Sequence, residues 1–124
     1  MMDVYRKGWA LRYLREAKAE LEAARKIPYM APSLVLEAIR KARNAIYYSL
    51  GEPAFIEILI RDEAGKTEPT NDSILRFLVE IEGAVQQLGQ LEEVNGDVMM
   101  KQADTLVQIA SDIVETLTNE RLEN

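Results

Sequence analysis

Apolar residues recur along this chain with a helical period in four stretches, separated by runs of proline, glycine and polar residues. In residues 3–26, Ala10, Leu14, Ala17, Leu21 and Ala24 follow at spacings of four and three, which places them on one helical face. Ile27-Pro28-Tyr29-Met30-Ala31-Pro32 interrupts the pattern, because proline lacks an amide donor and restricts the residue before it. A second helix is predicted over 33–50, with Val35, Ala38, Ile39, Ala42, Ala45, Ile46 and Ser49 facing inward. Gly51 and Pro53 stop it. Alanine and serine on facing stripes let two backbones approach closely, so residues 3–50 read as a tight antiparallel helical hairpin.

The second half is less uniform. Residues 53–62, Pro53-Ala54-Phe55-Ile56-Glu57-Ile58-Leu59-Ile60-Arg61-Asp62, fit a short helix or a strand. Proline at a first helical position favours helix, while the three isoleucines favour strand. A lone strand would leave its edges unpaired, so a short helix is expected. Glu63 to Pro69 reads as a polar loop. A third long helix, 72–94, carries Ile74, Phe77, Leu78, Ile81, Ala84, Val85, Leu88 and Leu91 in one stripe, with Thr70, Asn71, Asp72 and Ser73 as candidate caps. Asn95-Gly96 is expected to end it and Asp97 to cap the next, and so short a connection makes the two helices antiparallel neighbours.

In the last helix, 98–121, Met99, Ala103, Leu106, Ala110, Ile113 and Leu117 keep a seven-residue rhythm. A second line, Met100, Val107 and Val114, widens the apolar face beyond one bundle seam. That excess is either core or a dimer surface. The expected fold is therefore all-α: an antiparallel four-helix up-and-down bundle with a short extra helix between helices 2 and 3. It forms a single domain over 1–124, in which Leu14, Ala42, Ile81 and Leu106 share one interior.

Composition narrows the chemistry. The chain of 124 residues has no histidine and no cysteine, which removes most of the ordinary equipment of catalysis and metal binding. The lack of disulfides fits a reducing cytoplasm. The N-terminus lacks a signal-peptide apolar stretch, and nothing approaches the length of a membrane span. The net charge of −6 argues against general nucleic-acid binding. That charge is unevenly placed: residues 1–50 hold ten Lys/Arg against five Asp/Glu, and the remainder holds five against sixteen. Such asymmetry either trims solvated faces or orients a homodimer or partner protein, and salt would weaken an association of the second kind.

Several residue groups are candidates for binding or catalysis. Arg40, Arg43 and Tyr47, with Asn44 beside them, fall on the side of the second helix opposite its apolar stripe. An arginine–aromatic face can hold a nucleotide phosphate or stack on a base; otherwise it is solvated or pairs with a partner's acids. Trp9 and Tyr13 flank the stripe of the first helix, either as interface anchors or as the core edge. Asp112 and Glu115, and Glu120 and Glu123, are acids three apart. All-helical magnesium-dependent nucleotide pyrophosphohydrolases hold their metal with acid pairs on two helices, whereas both pairs here share one. Glu80 and Glu82 point to different sides, and the Glu-x-x-His of di-iron bundles is absent. Gly65-Lys66-Thr67 lacks the earlier glycine of a phosphate loop, that position being Ile60. No metal or cofactor is expected.

The chain resembles the HEPN family of helical-bundle domains. The likeness rests on the hairpin Tyr13-Leu14-Arg15-Glu16-Ala17-Lys18-Ala19-Glu20-Leu21 with Leu36-Glu37-Ala38-Ile39-Arg40-Lys41-Ala42, and on the irregular connector after it. It continues in Glu68-Pro69-Thr70-Asn71-Asp72-Ser73-Ile74-Leu75, similar to the family's approach to its third helix, and in a last helix with inward alanines. Asn71 or a neighbour stands where a histidine is common. Ribonuclease members carry an arginine followed within several residues by a histidine on the last helix. Here Arg121 is followed only by Leu122, Glu123 and Asn124, so that site is carried over to no residue.

Other members are non-catalytic partners of small nucleotidyltransferases, and the resemblance implies a protein of that kind. The expected function is a non-enzymatic interaction or substrate-binding module, cytoplasmic and homodimeric, acting through a nucleotidyltransferase-type partner. Arg40, Arg43 and Tyr47 would be its ligand contacts. Trp9, Tyr13, Met100, Val107 and Val114 would be its interface. The alternatives are a divergent magnesium-dependent nucleotide pyrophosphohydrolase and a purely structural helical oligomer.

Overall fold

The first four α-helices begin where the sequence supplies a cap or a proline. The computed structural model describes residues 3–68, 70–90 and 96–120, and among these all regular structure is helical. Helix α1 (Val4–Lys26) is capped by Asp3, whose Oδ1 accepts the Tyr5 amide at 3.0 Å. Arg25 and Lys26 stand at its negative C-terminal end. A 3₁₀ turn (Pro28–Met30) leads directly into α2 (Ala31–Leu50). This helix starts two residues before the expected point because Pro32 fits a first turn, where no amide bond is lost.

Residues 53–62 are helical, within α3 (Pro53–Ala64), with Pro53 in its first turn. Asp72 caps α4 (Ser73–Gln90) by accepting the Leu75 amide at 2.9 Å. Helix α5 (Gly96–Thr118) starts at Gly96, so Asp97 lies inside its first turn instead of capping it. It ends with Asn119 in the left-handed region (φ 57°) and the Glu120 amide donating to the Glu115 carbonyl at 3.2 Å, the pattern that satisfies orphan carbonyls at a helix end. The expected stop at Asn95, and Leu91 of the third stripe, lie outside the described residues.

One buried cluster contains Leu14, Ala42, Ile81 and Leu106 together, as the stripes require. Helix α2 is the central element and comes close to α1, α5, α4 and α3. Its small residues make this possible: Ala38, Ala42 and Ala45 are fully buried, and the Ser49 hydroxyl donates to the Ala45 carbonyl at 2.8 Å instead of needing an outside partner. Ion pairs give the sense of packing. Lys7 meets Glu120 at 2.7 Å and Arg25 meets Asp104, so α1 and α5 run in opposite directions. Lys41 meets Glu20 at 2.6 Å across the α1–α2 hairpin.

Among the described residues the close backbone approaches of α4 are to α2 and α3. One expectation changes. The second line of α5 is core: Val107 and Val114 are buried and Met100 is half-buried against the cluster, so the two valines are not a dimer surface. Helix α5 lies on both α1 and α2, and two seams need a wider apolar face than one.

The charge asymmetry is partly consumed within the chain, since the three pairs Lys7–Glu120, Arg25–Asp104 and Arg43–Glu82 each join the basic hairpin to an acidic helix. Among the described residues, no helix is long and apolar enough to cross a membrane.

Candidate functional site

Arg43 and Tyr47, one turn apart on α2, face α4 instead of solvent. The Arg43 Nη1 donates to both carboxylate oxygens of Glu82, at 3.3 and 3.2 Å, and the Tyr47 hydroxyl donates to Glu82 Oε2 at 3.0 Å. The guanidinium also sits 5.8 Å from the Tyr47 ring centre and donates to Asn44 Oδ1 at 3.4 Å. Burial, followed by the charge and hydrogen bond of Glu82, pushes the Tyr47 phenol far above its ordinary range; Arg43 opposes this.

Arg40 does not join them, and bonds Glu37 of its own helix at 2.9 Å. The expected exposed face is thus divided. Tyr47 is buried, Arg43 is held by Glu82, and Arg40 is turned aside. The reason is that α2 has helices on more than one side, so the flank away from its main stripe also becomes interior. Glu82 itself carries a sequence signal: spaced four from Leu78 and three from Val85, it is an acid on the flank of an apolar stripe.

A second group lies on the α1–α2 seam. Tyr5, Trp9 and Tyr13 stack up α1 at four-residue spacing, and Tyr48 of α2 completes the set. Ring centres are 6.3 Å apart for Tyr5–Trp9, 5.7 Å for Trp9–Tyr13, 6.3 Å for Trp9–Tyr48 and 5.6 Å for Tyr13–Tyr48. Arg12 lies 4.9 Å over the Trp9 ring. Tyr5 is exposed, and Trp9, Tyr13 and Tyr48 are half-buried, so the ladder is packed at its base and open on one side. Burial raises the Tyr48 phenol, with Tyr13, Tyr5 and Glu52 adding to it. Sequence reasoning selects Trp9 and Tyr13 but misses Tyr5, which the four-residue spacing identifies, and Tyr48, which only the hairpin register brings in.

Asp112 and Glu120 have separate partners. Asp112 accepts from Gln108 at 3.1 Å, and Lys7 holds the Glu120 carboxyl below its ordinary range. Asp112, Glu115, Thr116, Asn119 and Glu120 line an open hollow at the end of α5, while Glu123 and Arg121 lie outside the described residues. Among the described residues, no three acidic side chains converge as a metal-binding group. Glu80 is exposed while Glu82 turns toward α2, and Lys66 pairs with Glu63 at 3.1 Å.

No protein-family model, curated protein or solved structure matches the chain.

Proposed function

We propose that this chain is a non-catalytic binding module of HEPN-like type, homodimeric, that works by presenting helix faces to a partner protein of the small nucleotidyltransferase kind. Its helices would form an antiparallel up-and-down bundle crossed by α3. The opposed sense of α1 and α5 supports that arrangement.

The observation that carries the functional reading is the aromatic ladder. Rigid, partly exposed aromatic rings with an arginine against them are what protein interfaces use as anchors, since they bury much area at little entropy cost. The absence of histidine and cysteine supports a binding role over a catalytic one. So does the use of Arg43 and Tyr47 to fix α2 against α4, where they hold an internal carboxylate in place of an external phosphate.

The test is a search for a small nucleotidyltransferase gene beside this one, whose absence counts against the reading, followed by co-expression of the two chains. A stoichiometric complex is expected, lost in Trp9→Ala and kept in Arg40→Ala. No complex with the wild-type chain, or one indifferent to Trp9→Ala, counts against the reading.

A further inference from the structure

Helix α3 is apolar on both sides. Ile60 is buried and Ile56 packs on the core, yet Phe55, Ile58 and Leu59 stand on the outer face at 70%, 55% and 57% exposure, with Leu50 at the end of α2 at 37%. An amphipathic surface helix would carry polar residues there. Beside this face is an open groove of about 280 Å³ between α2, α3 and α4, lined mainly by apolar side chains that include Leu50, Leu59, Ile74 and Leu75, with the Asp72 carboxylate at its edge. A cavity of about 150 Å³ already accepts a benzene ring, so the groove has room for one phenyl group.

We infer that α3 is the dimer interface of this protein, two copies pairing antiparallel about a two-fold axis near Ile58 and Leu59, with Phe55 of each copy seated in the groove of the other. The inference rests on the homodimer reading above and names its surface.

Two observations select a second copy as the occupant. The face carries both a projecting ring and the recess that fits it, and a two-fold interface requires such self-complementarity. The area is sufficient as well. At roughly 200 Å² for a large apolar side chain, these exposures leave about 400 Å² of apolar surface per copy. Complete burial of these side chains in two copies hides about 800 Å² of apolar surface, which at about 65% apolar content corresponds to roughly 1,200 Å² in total, the lower bound of a stable interface.

The chain has no cysteine, so a single introduced thiol reports directly on the axis. Mild oxidation of dilute Ile58→Cys is expected to give a covalent dimer, whereas Ile109→Cys on α5 gives none. By sedimentation equilibrium, the wild-type chain is expected to dimerise and Phe55→Glu to weaken the dimer at least 100-fold with unchanged helical circular dichroism. A dimer that survives Phe55→Glu, with Ile58→Cys not cross-linked, would overturn this interface while leaving the homodimer reading standing. A wild-type chain monomeric at several hundred micromolar overturns both. A monomer that floats with phospholipid vesicles in a Phe55-dependent way would show that the face is for lipid and would also overturn the inference.

Discussion

Replacing Glu82 with alanine tests whether the Arg43 cluster is a structural clamp or an open ligand site. The side chains of Arg43 and Glu82 are 19% and 17% exposed, so the pair lies between two regimes. Truncating one partner of a fully buried pair costs about 3–5 kcal/mol, and an exposed pair contributes about 0.2–1 kcal/mol. The buried Tyr47 hydroxyl loses its acceptor at the same time, adding to the penalty. A destabilisation of about 2 kcal/mol is the expected result, a large part of the roughly 5–15 kcal/mol that holds a domain together.

With a urea slope of about 1.5 kcal/mol/M, the midpoint should fall by somewhat over 1 M. A double-mutant cycle of Arg43→Ala and Glu82→Ala should return a coupling of about 1 kcal/mol or more. Stability within about 0.5 kcal/mol of wild type, the range of ordinary surface changes, would rule out the clamp. It would mean that solvent already screens the cluster and that Arg43 is free for an outside anion.

Three other outcomes follow from the packing and the protonation states. Ala42→Leu inserts a large side chain at a fully buried position of the central helix and should destabilise by about 1–3 kcal/mol in chemical denaturation, because the packed core around α2 has no room for it. Tyr47 should resist ionisation beyond its ordinary value of 10.0; absorbance titration of the phenolates should show a late component that disappears in Tyr47→Phe. Lys41, raised above its ordinary 10.5 first by its hydrogen bond to Glu20, and Tyr47 both bind their protons more tightly when folded. Their contributions are complete below about pH 10 and are lost as pH rises further, so denaturation midpoints should fall on that alkaline side.

Much of the fold is legible in the sequence because small residues are informative at helical spacing. Ala10, Ala17 and Ala24 on α1, and Ala38, Ala42 and Ala45 on α2, mark the inward faces by their spacing alone, and all six are buried. Pro53 tips an ambiguous isoleucine-rich segment to helix, and the absence of a partner strand among the described residues agrees with it. Periodicity does not reveal how many neighbours a helix has. Helix α2 is surrounded, so Arg43 and Tyr47 are drawn inward; α5 spans two seams, so Val107 and Val114 are core. The ladder is half visible in the sequence: Trp9 and Tyr13 share a helix, but Tyr48 joins them only through the register of the hairpin. The second apolar face of α3 is also plain in its composition, although the side that meets the core depends on where α4 lies.

If the aromatic ladder is the surface by which this protein meets its partner, Trp9 must sense the partner's arrival. Trp9 is the sole tryptophan, so the chain labelled with fluorotryptophan gives a single fluorine resonance placed within that ladder. Titration with the proposed nucleotidyltransferase-type partner should shift and broaden that resonance, with saturation at stoichiometric ratio. A complex that forms while the resonance stays at its free position would show that the ladder is not the docking surface.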